Sequence, residues 1–440
     1  MVLKYISNRK KYKLCNIAIW LFFFLLIFEG AFRKWFLPSL SDIFLVIRDP
    51  LAIYLVWIAC KRGLWKNPFV RISWGIAFIT LITTLLFGHQ NLLVALYGVR
   101  IWIYYIPLIF AIPLFMNLDD VMSMCKCTLY ITMGMTLLML LQYFTPQTSF
   151  FNVGVGGEGS SGFSGVGNYF RPSGTFSFTN GIALYMVWAG CSFFACFFSN
   201  RKWEKRKFWV SPYILWASFV CWVVAVPVSL SRAVVAEVVI IFLWAMGLAF
   251  LTKKYKKSLF YFMAILLVLS PLLLANQRIQ IAVDNMQERF VMAGKSEGNF
   301  VTESIVERKI VSMFSDLLNS NEVPFFYGEG IGMSTNVAAV MLTGKKQFLT
   351  KEGGSDSMEN GYLMGCVMFL YKWILLFYIF YRCVKVRTCT LLPLLFAVSL
   401  FLIRPGTGQT PADVGFSVWV AAMTLTLAVK SEYEIIHTRK

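Results

Sequence analysis

The stretch Cys15-Asn16-Ile17-Ala18-Ile19-Trp20-Leu21-Phe22-Phe23-Phe24-Leu25-Leu26-Ile27-Phe28, preceded by Lys10, Lys11 and Lys13 and followed by Glu29-Gly30-Ala31-Phe32-Arg33-Lys34-Trp35, decides the fold. No charge interrupts it from Cys15 to Phe28. Roughly twenty apolar residues in a row is the length at which a helix crosses the hydrocarbon core of a bilayer. Barrel strands are short and alternate in polarity, whereas this run is long and continuous, so a helix is expected. No small-residue cleavage site follows it, and the segment reads as a retained span rather than a signal peptide.

Comparable runs recur along the chain. They place about 12 spans, at roughly 15–32, 43–60, 69–87, 100–116, 121–144, 179–198, 210–228, 233–251, 258–275, 361–381, 388–403 and 413–429. The composition agrees: 58% of the 440 residues are hydrophobic and 14% charged. A soluble domain carries about a quarter charged residues, so this chain lacks the polar surface to face water on all sides. The expected fold class is an all-α polytopic membrane protein.

The cations test the span scheme. They cluster at Lys10 to Lys13, Lys61 to Lys66, Arg201 to Lys207, Lys253 to Lys257, Arg382 to Arg387, and Arg439 with Lys440. Each cluster falls before the first span, after an even-numbered span, or in the tail. That pattern puts both termini in the cytoplasm. The turn after the fourth span fits least well, with Asp119, Asp120 and only Lys126 nearby. The net charge of +19 is then mostly topogenic, and nucleic acid is not an expected partner. None of the 10 cysteines lies in a segment placed outside, so disulfides are not expected. Cys125 and Cys127 lack a second ligand pair, so neither a zinc site nor any other metal or cofactor is anticipated.

Three regions follow: 1–275 with nine spans and a Gly/Ser-rich outer loop at 145–178, a large outer loop at 276–360, and 361–440 with three spans and a cytoplasmic tail. Within the large loop, Val301 to Leu318 has apolar residues at three- and four-residue spacing and reads as an amphipathic helix. Tyr327-Gly328-Glu329-Gly330-Ile331-Gly332 reads as a tight turn rather than a nucleotide fingerprint. No internal repeat is evident, which weighs against inverted-repeat transporters.

Ionisable residues gather at the outer ends of the predicted spans: Glu29, Arg33, Lys34, Arg48, Asp49, Arg100, Arg171, Arg232, Glu237, Asp356 and Glu359. A charge at mid-bilayer costs about 2.5–3.5 kcal/mol on insertion scales, so such residues usually face a partner or a wet cavity. Lys34 is expected to snorkel to headgroups. Arg48 and Asp49, before Pro50, are a candidate local pair at a kink. Forked guanidinium donors match phosphate oxygens, and outward-opening arginines therefore suggest an anionic lipid headgroup, pyrophosphate above all.

Taken in order, Glu29-Gly30-Ala31-Phe32-Arg33-Lys34-Trp35, Arg48-Asp49-Pro50, Gly98-Val99-Arg100, Arg171-Pro172-Ser173-Gly174-Thr175-Phe176-Ser177, Ser231-Arg232, Gly328-Glu329-Gly330 and Glu359-Asn360-Gly361-Tyr362-Leu363 resemble the bacterial O-antigen ligase and O-antigen polymerase superfamily. The resemblance implies a GT-C-like, metal-independent glycosyltransferase of the bacterial inner membrane. It would take its glycan from undecaprenyl pyrophosphate, with membrane lipids and a chain-length regulator protein as further partners. Ligases of this kind carry a His-Asn pair where this chain has Glu359-Asn360, which favours polymerase over ligase. A flippase of lipid-linked oligosaccharide is the rival from another class. Arg100, Arg171, Arg232 and Arg48 are the expected pyrophosphate ligands, with Arg232 also a catalytic candidate. Glu359 is the expected base, with Asp356, Glu329 and Asn360 as secondary candidates. The alternative for Glu359 is a helix cap at the start of the tenth span.

Overall fold

The computed structural model describes residues 12–157, 165–199, 210–251, 275–297, 324–344, 356–386 and 411–438, with a few isolated residues between these ranges. The expected ninth span (258–275) falls almost wholly outside them. The eleventh span (388–403) and the amphipathic helix at 301–318 lie outside them altogether.

The described chain is a helical bundle. Helix α1 (Lys13–Ala31) runs on through a π-helical turn at Phe32–Phe36, and short turns at Pro38–Leu40 and Ser41–Phe44 lead into α2 (Asp49–Lys61). Then come α3 (Pro68–Phe87) and α4 (Leu92–Arg100), the latter continued by a second π-helical turn at Ile101–Tyr105 to reach Leu114. After these come α5 (Leu118–Phe144), α6 (Thr179–Ser199), α7 (Pro212–Val228), α8 (Arg232–Leu251) and α9 (Gln277–Glu297). The remainder comprises α10 (Asn336–Thr343), α11 (Asp356–Asn360), α12 (Tyr362–Val386) and α13 (Pro411–Thr438).

Local chemistry sets many of the starts. Asn67 accepts the Phe69 N–H at 2.9 Å and is followed by Pro68. Asn91 accepts from Leu93 and Val94. Asn117 and Asp120 form a reciprocal capping box. Proline also opens α7 and α13.

Among the described residues, 8 helical segments are long and apolar enough to cross a membrane, and the protein is accordingly a multi-span α-helical membrane protein. Their burial separates two classes. The segments Thr179–Ser199 and Pro411–Lys430 are each 94% buried, whereas Pro68–Phe87 is only 33% buried at a similar hydropathy. The first two form the middle of the bundle. The last turns Phe78, Ile79, Leu86 and Phe87 outward, as a lipid-facing helix does. At the centre, Trp419 of α13 stacks on Phe23 at 5.1 Å and on Phe22 at 6.2 Å, and meets Trp188 of α6 edge-on.

The bundle has two chemically unlike ends. Lys13, Lys61, Arg62 and Lys66 mark one, where Arg62 donates to the Leu114 carbonyl at 2.8 Å and lies over the Tyr12 ring. Lys430 and Asp120 are close enough to interact electrostatically there. The segments around Glu29, Arg48, Tyr97, Ser177, Asn180 and Pro411 meet at the other, distal end.

The fourth span differs from expectation. It was expected to begin at Arg100, but it begins at Leu92, which places Arg100 inside the span. Glu29, Arg33 and Lys34 are likewise inside Lys13–Phe36, and Arg48 and Asp49 inside Pro38–Lys61. Each side chain in this group is neutralised or hydrogen-bonded by another, so a charge here does not mark a helix end.

The turn at Tyr327–Gly332 is tight, as expected, and it also packs into the bundle. Gly330 and Gly332 have φ of 110° and 91°. A Cβ on Gly98 of α4 would lie 2.6 Å from the Gly332 nitrogen, and one on Gly332 would lie 2.6 Å from the Val94 carbonyl oxygen. Gly332→Ala should therefore destabilise by about 1–3 kcal/mol through strain and overlap together. Gly344→Ala, at φ 69° with open space around it, should cost less. Thermal unfolding in detergent checks this, and equal losses would show that the backbone contact contributes nothing.

Candidate functional site

The charged residues of the distal end form a linked set. Arg48, 1% exposed, places Nε 3.0 Å from Glu29 Oε2 and donates from Nη2 to the Pro411 carbonyl at 2.7 Å. Arg33 lies 3.6 Å from Glu29 and donates to Ser177 Oγ at 2.9 Å. Asp49 faces away from this pair. It accepts from Arg100 Nη1 at 2.9 Å and from the Tyr105 hydroxyl at 2.7 Å, while Arg100 stacks over Tyr97 at 3.7 Å. Arg48 and Asp49 are therefore not the local pair expected. The interruption of the helix between Phe44 and Asp49 lets each reach a different helix.

Lys34 does not snorkel. It is 2% exposed and donates to Ser173 Oγ at 2.6 Å. A lysine stem reaches headgroups only when it leaves the helix on the lipid side, and the π-helical turn rotates Lys34 inward onto the 173–177 segment. That segment is held tightly. Thr175 donates to the Ile27 carbonyl at 2.6 Å, and Gln142 binds Gly174 in both directions.

Depth follows from helix rise. Asp49 is 12 residues from the end of α2, or about 18 Å, and Glu29 is about 24 Å from Lys13. Both distances fall short of the about 30 Å of a hydrocarbon core, so both carboxylates lie within the length of membrane-spanning segments.

A cavity of about 600 Å³ opens beside this network. Glu29, Arg33, Asp42, Arg48, Ser177 and Asn180 supply its polar wall. Leu45, Val46, Phe178, Val340 and Met341 line it too, and Val46, Phe178, Val340 and Met341 are exposed at its rim. Arg33 Nε and Arg48 Nη1 are buried without a hydrogen-bond partner among the described residues. Buried guanidinium donors are rarely left so; these belong to two residues of one cavity wall, Arg48 Nη1 lying against Gly415 of α13, and Arg171 Nε and Arg382 Nε are alike elsewhere. On the opposite side Asp413 accepts both contacts from the Asn180 amide, at 3.0 and 2.8 Å.

The expected arginines do not all share this cavity. Arg48 lines it, and Arg100 stands behind it against Asp49. Arg171 and Arg232 form a second cationic group with Arg289 of α9, a residue the sequence did not single out. Tyr143 stacks on Tyr169 at 4.8 Å and receives the Asn285 amide at 2.7 Å. Arg289 is one helical turn beyond Asn285, and Arg171 two residues beyond Tyr169. Burial, then the charges of Arg289 and Arg232, push the Arg171 guanidinium below the ordinary arginine pKa.

Glu359 stands apart from the large cavity. It lines a separate space of about 20 Å³ with Gly98, Trp102, Gly332 and Asp356. It accepts the Ser334 N–H at 2.9 Å and also the Ser334 hydroxyl, so its carboxylate clamps the 328–335 turn. Gly361, at φ 85°, separates α11 from α12, so Glu359 does not cap the tenth span. Asp356 is paired with Lys372 of α12. Asn360 donates to the Asp356 carbonyl at 2.9 Å, and Glu329 is exposed. His89 uses both ring nitrogens structurally, at Ile331 O and Asn91 N. No group of three or more metal-ligating side chains occurs among the described residues.

Fold and site together define a multi-span α-helical membrane protein with a charge-lined cavity at one end of its bundle. No protein-family model matches the chain, and no curated protein matches it.

Two outcomes test these assignments. Arg100→Met should strand the Asp49 carboxylate and cost about 3–5 kcal/mol, and adding Asp49→Leu should recover much of the loss. Thermal unfolding of both variants in detergent measures the coupling. Burial raises the Glu359 pKa above its ordinary 4.5, Ser334 and the Gly332 backbone opposing and Asp356 reinforcing. The folded state thus holds this proton more tightly than the unfolded chain. Its stabilising contribution is full below about pH 4.5 and fades as pH rises through the higher folded value. Glu359→Gln keeps an acceptor for Ser334, and its melting temperature should fall less than the parent's between pH 4 and 8.

Proposed function

We propose that the chain is a membrane-embedded glycosyltransferase that extends lipid-linked oligosaccharide repeat units in the bacterial inner membrane. Its donor is a glycan on undecaprenyl pyrophosphate, its acceptor a sugar hydroxyl on a second lipid-linked unit. The distal end of the bundle faces the extracytoplasmic side, both termini lie in the cytoplasm, and the spans number about 12. The observation that carries this reading is a cavity with two half-unsatisfied guanidiniums on one wall and an exposed apolar rim on the other. Pyrophosphate suits the first and a polyprenyl tail the second.

Displacing pyrophosphate from an anomeric carbon builds negative charge on the leaving group. Fixed cations in a water-poor site lower that barrier, because their dipoles and charges are oriented beforehand. Arg33 and Arg48 take this role in the cavity. Glu29, between them, holds both in place before substrate arrives. Arg171, Arg232 and Arg289 form a separate cationic surface suited to the incoming anionic lipid. The lack of a ligase-type histidine at Glu359 favours a polymerase over transfer to a lipid A core.

The test is reconstitution of the purified chain in liposomes with undecaprenyl-pyrophosphate-linked oligosaccharide, followed by product length. Longer glycans support the proposal. Unchanged length with altered sidedness would establish a flippase instead. Arg33→Ala, at normal membrane abundance, should lower kcat/KM for donor by about 10- to 100-fold, the loss of a hydrogen bond to a charged group worth about 1.5–3 kcal/mol.

A further inference from the structure

Among the described residues, four carboxylates line the large cavity or the charge network against it, and three are already engaged. Glu29 is bridged by Arg48 and Arg33, Asp49 by Arg100 and Tyr105, and Asp413 by the Asn180 amide. Asp42 is different. It lines the 600 Å³ cavity from the short turn Ser41–Phe44, where it is exposed, and its side chain has no hydrogen-bond or ion-pair partner among the described residues. Arg33, on the same wall, is near enough for its charge to act on Asp42. The turn that carries Asp42 is anchored just after it. Phe44 is buried and stacks on Phe32 at 5.6 Å, and the Leu45 N–H closes on the Asp42 carbonyl at 3.2 Å. The carboxylate therefore presents open acceptor oxygens to the cavity, where a hydroxyl placed within hydrogen-bond reach could pass its proton to it.

We propose that Asp42, rather than Glu359, is the general base that activates the acceptor hydroxyl. The inference rests on the glycosyltransferase reading above. In the step, the acceptor oxygen bonds to the anomeric carbon as the bond from that carbon to the pyrophosphate oxygen breaks. The electron pair leaves with undecaprenyl pyrophosphate, held by Arg33 and Arg48, and the hydroxyl proton passes to Asp42. Glu359 cannot serve the same cavity, since it lines a different one and is held by Ser334.

The experiment measures steady-state extension by the full chain in liposomes with lipid-linked oligosaccharide, at matched membrane abundance. Asp42→Asn should lower kcat by about 10²- to 10⁴-fold with donor KM changed less than about threefold. Asp42→Ser should match it, which guards against an effect peculiar to the amide. Glu359→Gln should retain extension within about threefold of the parent. Wild-type kcat in both Asp42 variants, or a raised KM at unchanged kcat, overturns the assignment while leaving the glycosyltransferase reading intact. A parent chain that yields no longer product overturns that reading, and Asp42 as base falls with it.

Discussion

The pairing of buried charges across helices is the interaction on which the distal half of this bundle depends. Glu29 joins α1 to Arg48 in the break before α2, Arg48 joins that break to the start of α13, and Asp49 joins α2 to α4 through Arg100. All of these groups sit where water is scarce, so each alone would be costly, and together they satisfy most of one another's demands. The network thus specifies which helices adjoin. A purely apolar bundle would leave that choice to shape alone, because lipid solvates leucine as well as a neighbouring helix does.

The irregularities of the backbone follow from the same network. Both π-helical turns adjoin its cations, one carrying Arg33 and Lys34 and the other following Arg100. The extra residue in a π turn shifts the facing of side chains that an α-helix would distribute around its circumference. The break at 45–48 has a related effect, aiming Arg48 and Asp49 at opposite neighbours. Glycine serves the packing between helices and loops. Gly30 lets α1 approach Ser177 so closely that a Cβ would lie 2.6 Å from its nitrogen. That approach brings Ser173 and Ser177 within reach of Lys34 and Arg33.

The cavity is a by-product of this arrangement. The Ser41–Phe44 turn stands off from α13, the 173–181 segment folds back on α1, and the space between them keeps charged groups on its floor and apolar residues at its rim. Separate elements hold the 328–335 turn. Its glycines fit against Gly88 and Gly98, and Glu359 grips Ser334 from the far side.

The membrane-spanning class could be read directly from the residues. Runs such as Cys15–Phe28 have one physical solution in a bilayer, and the eight long apolar segments occur close to where periodicity and length put them. The residues of the distal network were legible too, since Glu29, Arg33, Arg48, Asp49 and Arg100 are costly in apolar surroundings and so stand out. Their partners were not. Spacing alone sends Lys34 to the headgroups, pairs Arg48 with Asp49 and puts Arg100 at a helix end. Asp42 and Arg289 have no local pattern that sets them apart, whereas Lys372 is a lone charge within an apolar run. Sequence spacing reports only the chain's own local geometry. Whether a charge faces lipid, a carboxylate or a cavity is decided by helices distant in sequence, and by turns that rotate a side chain through a fraction of a helical turn.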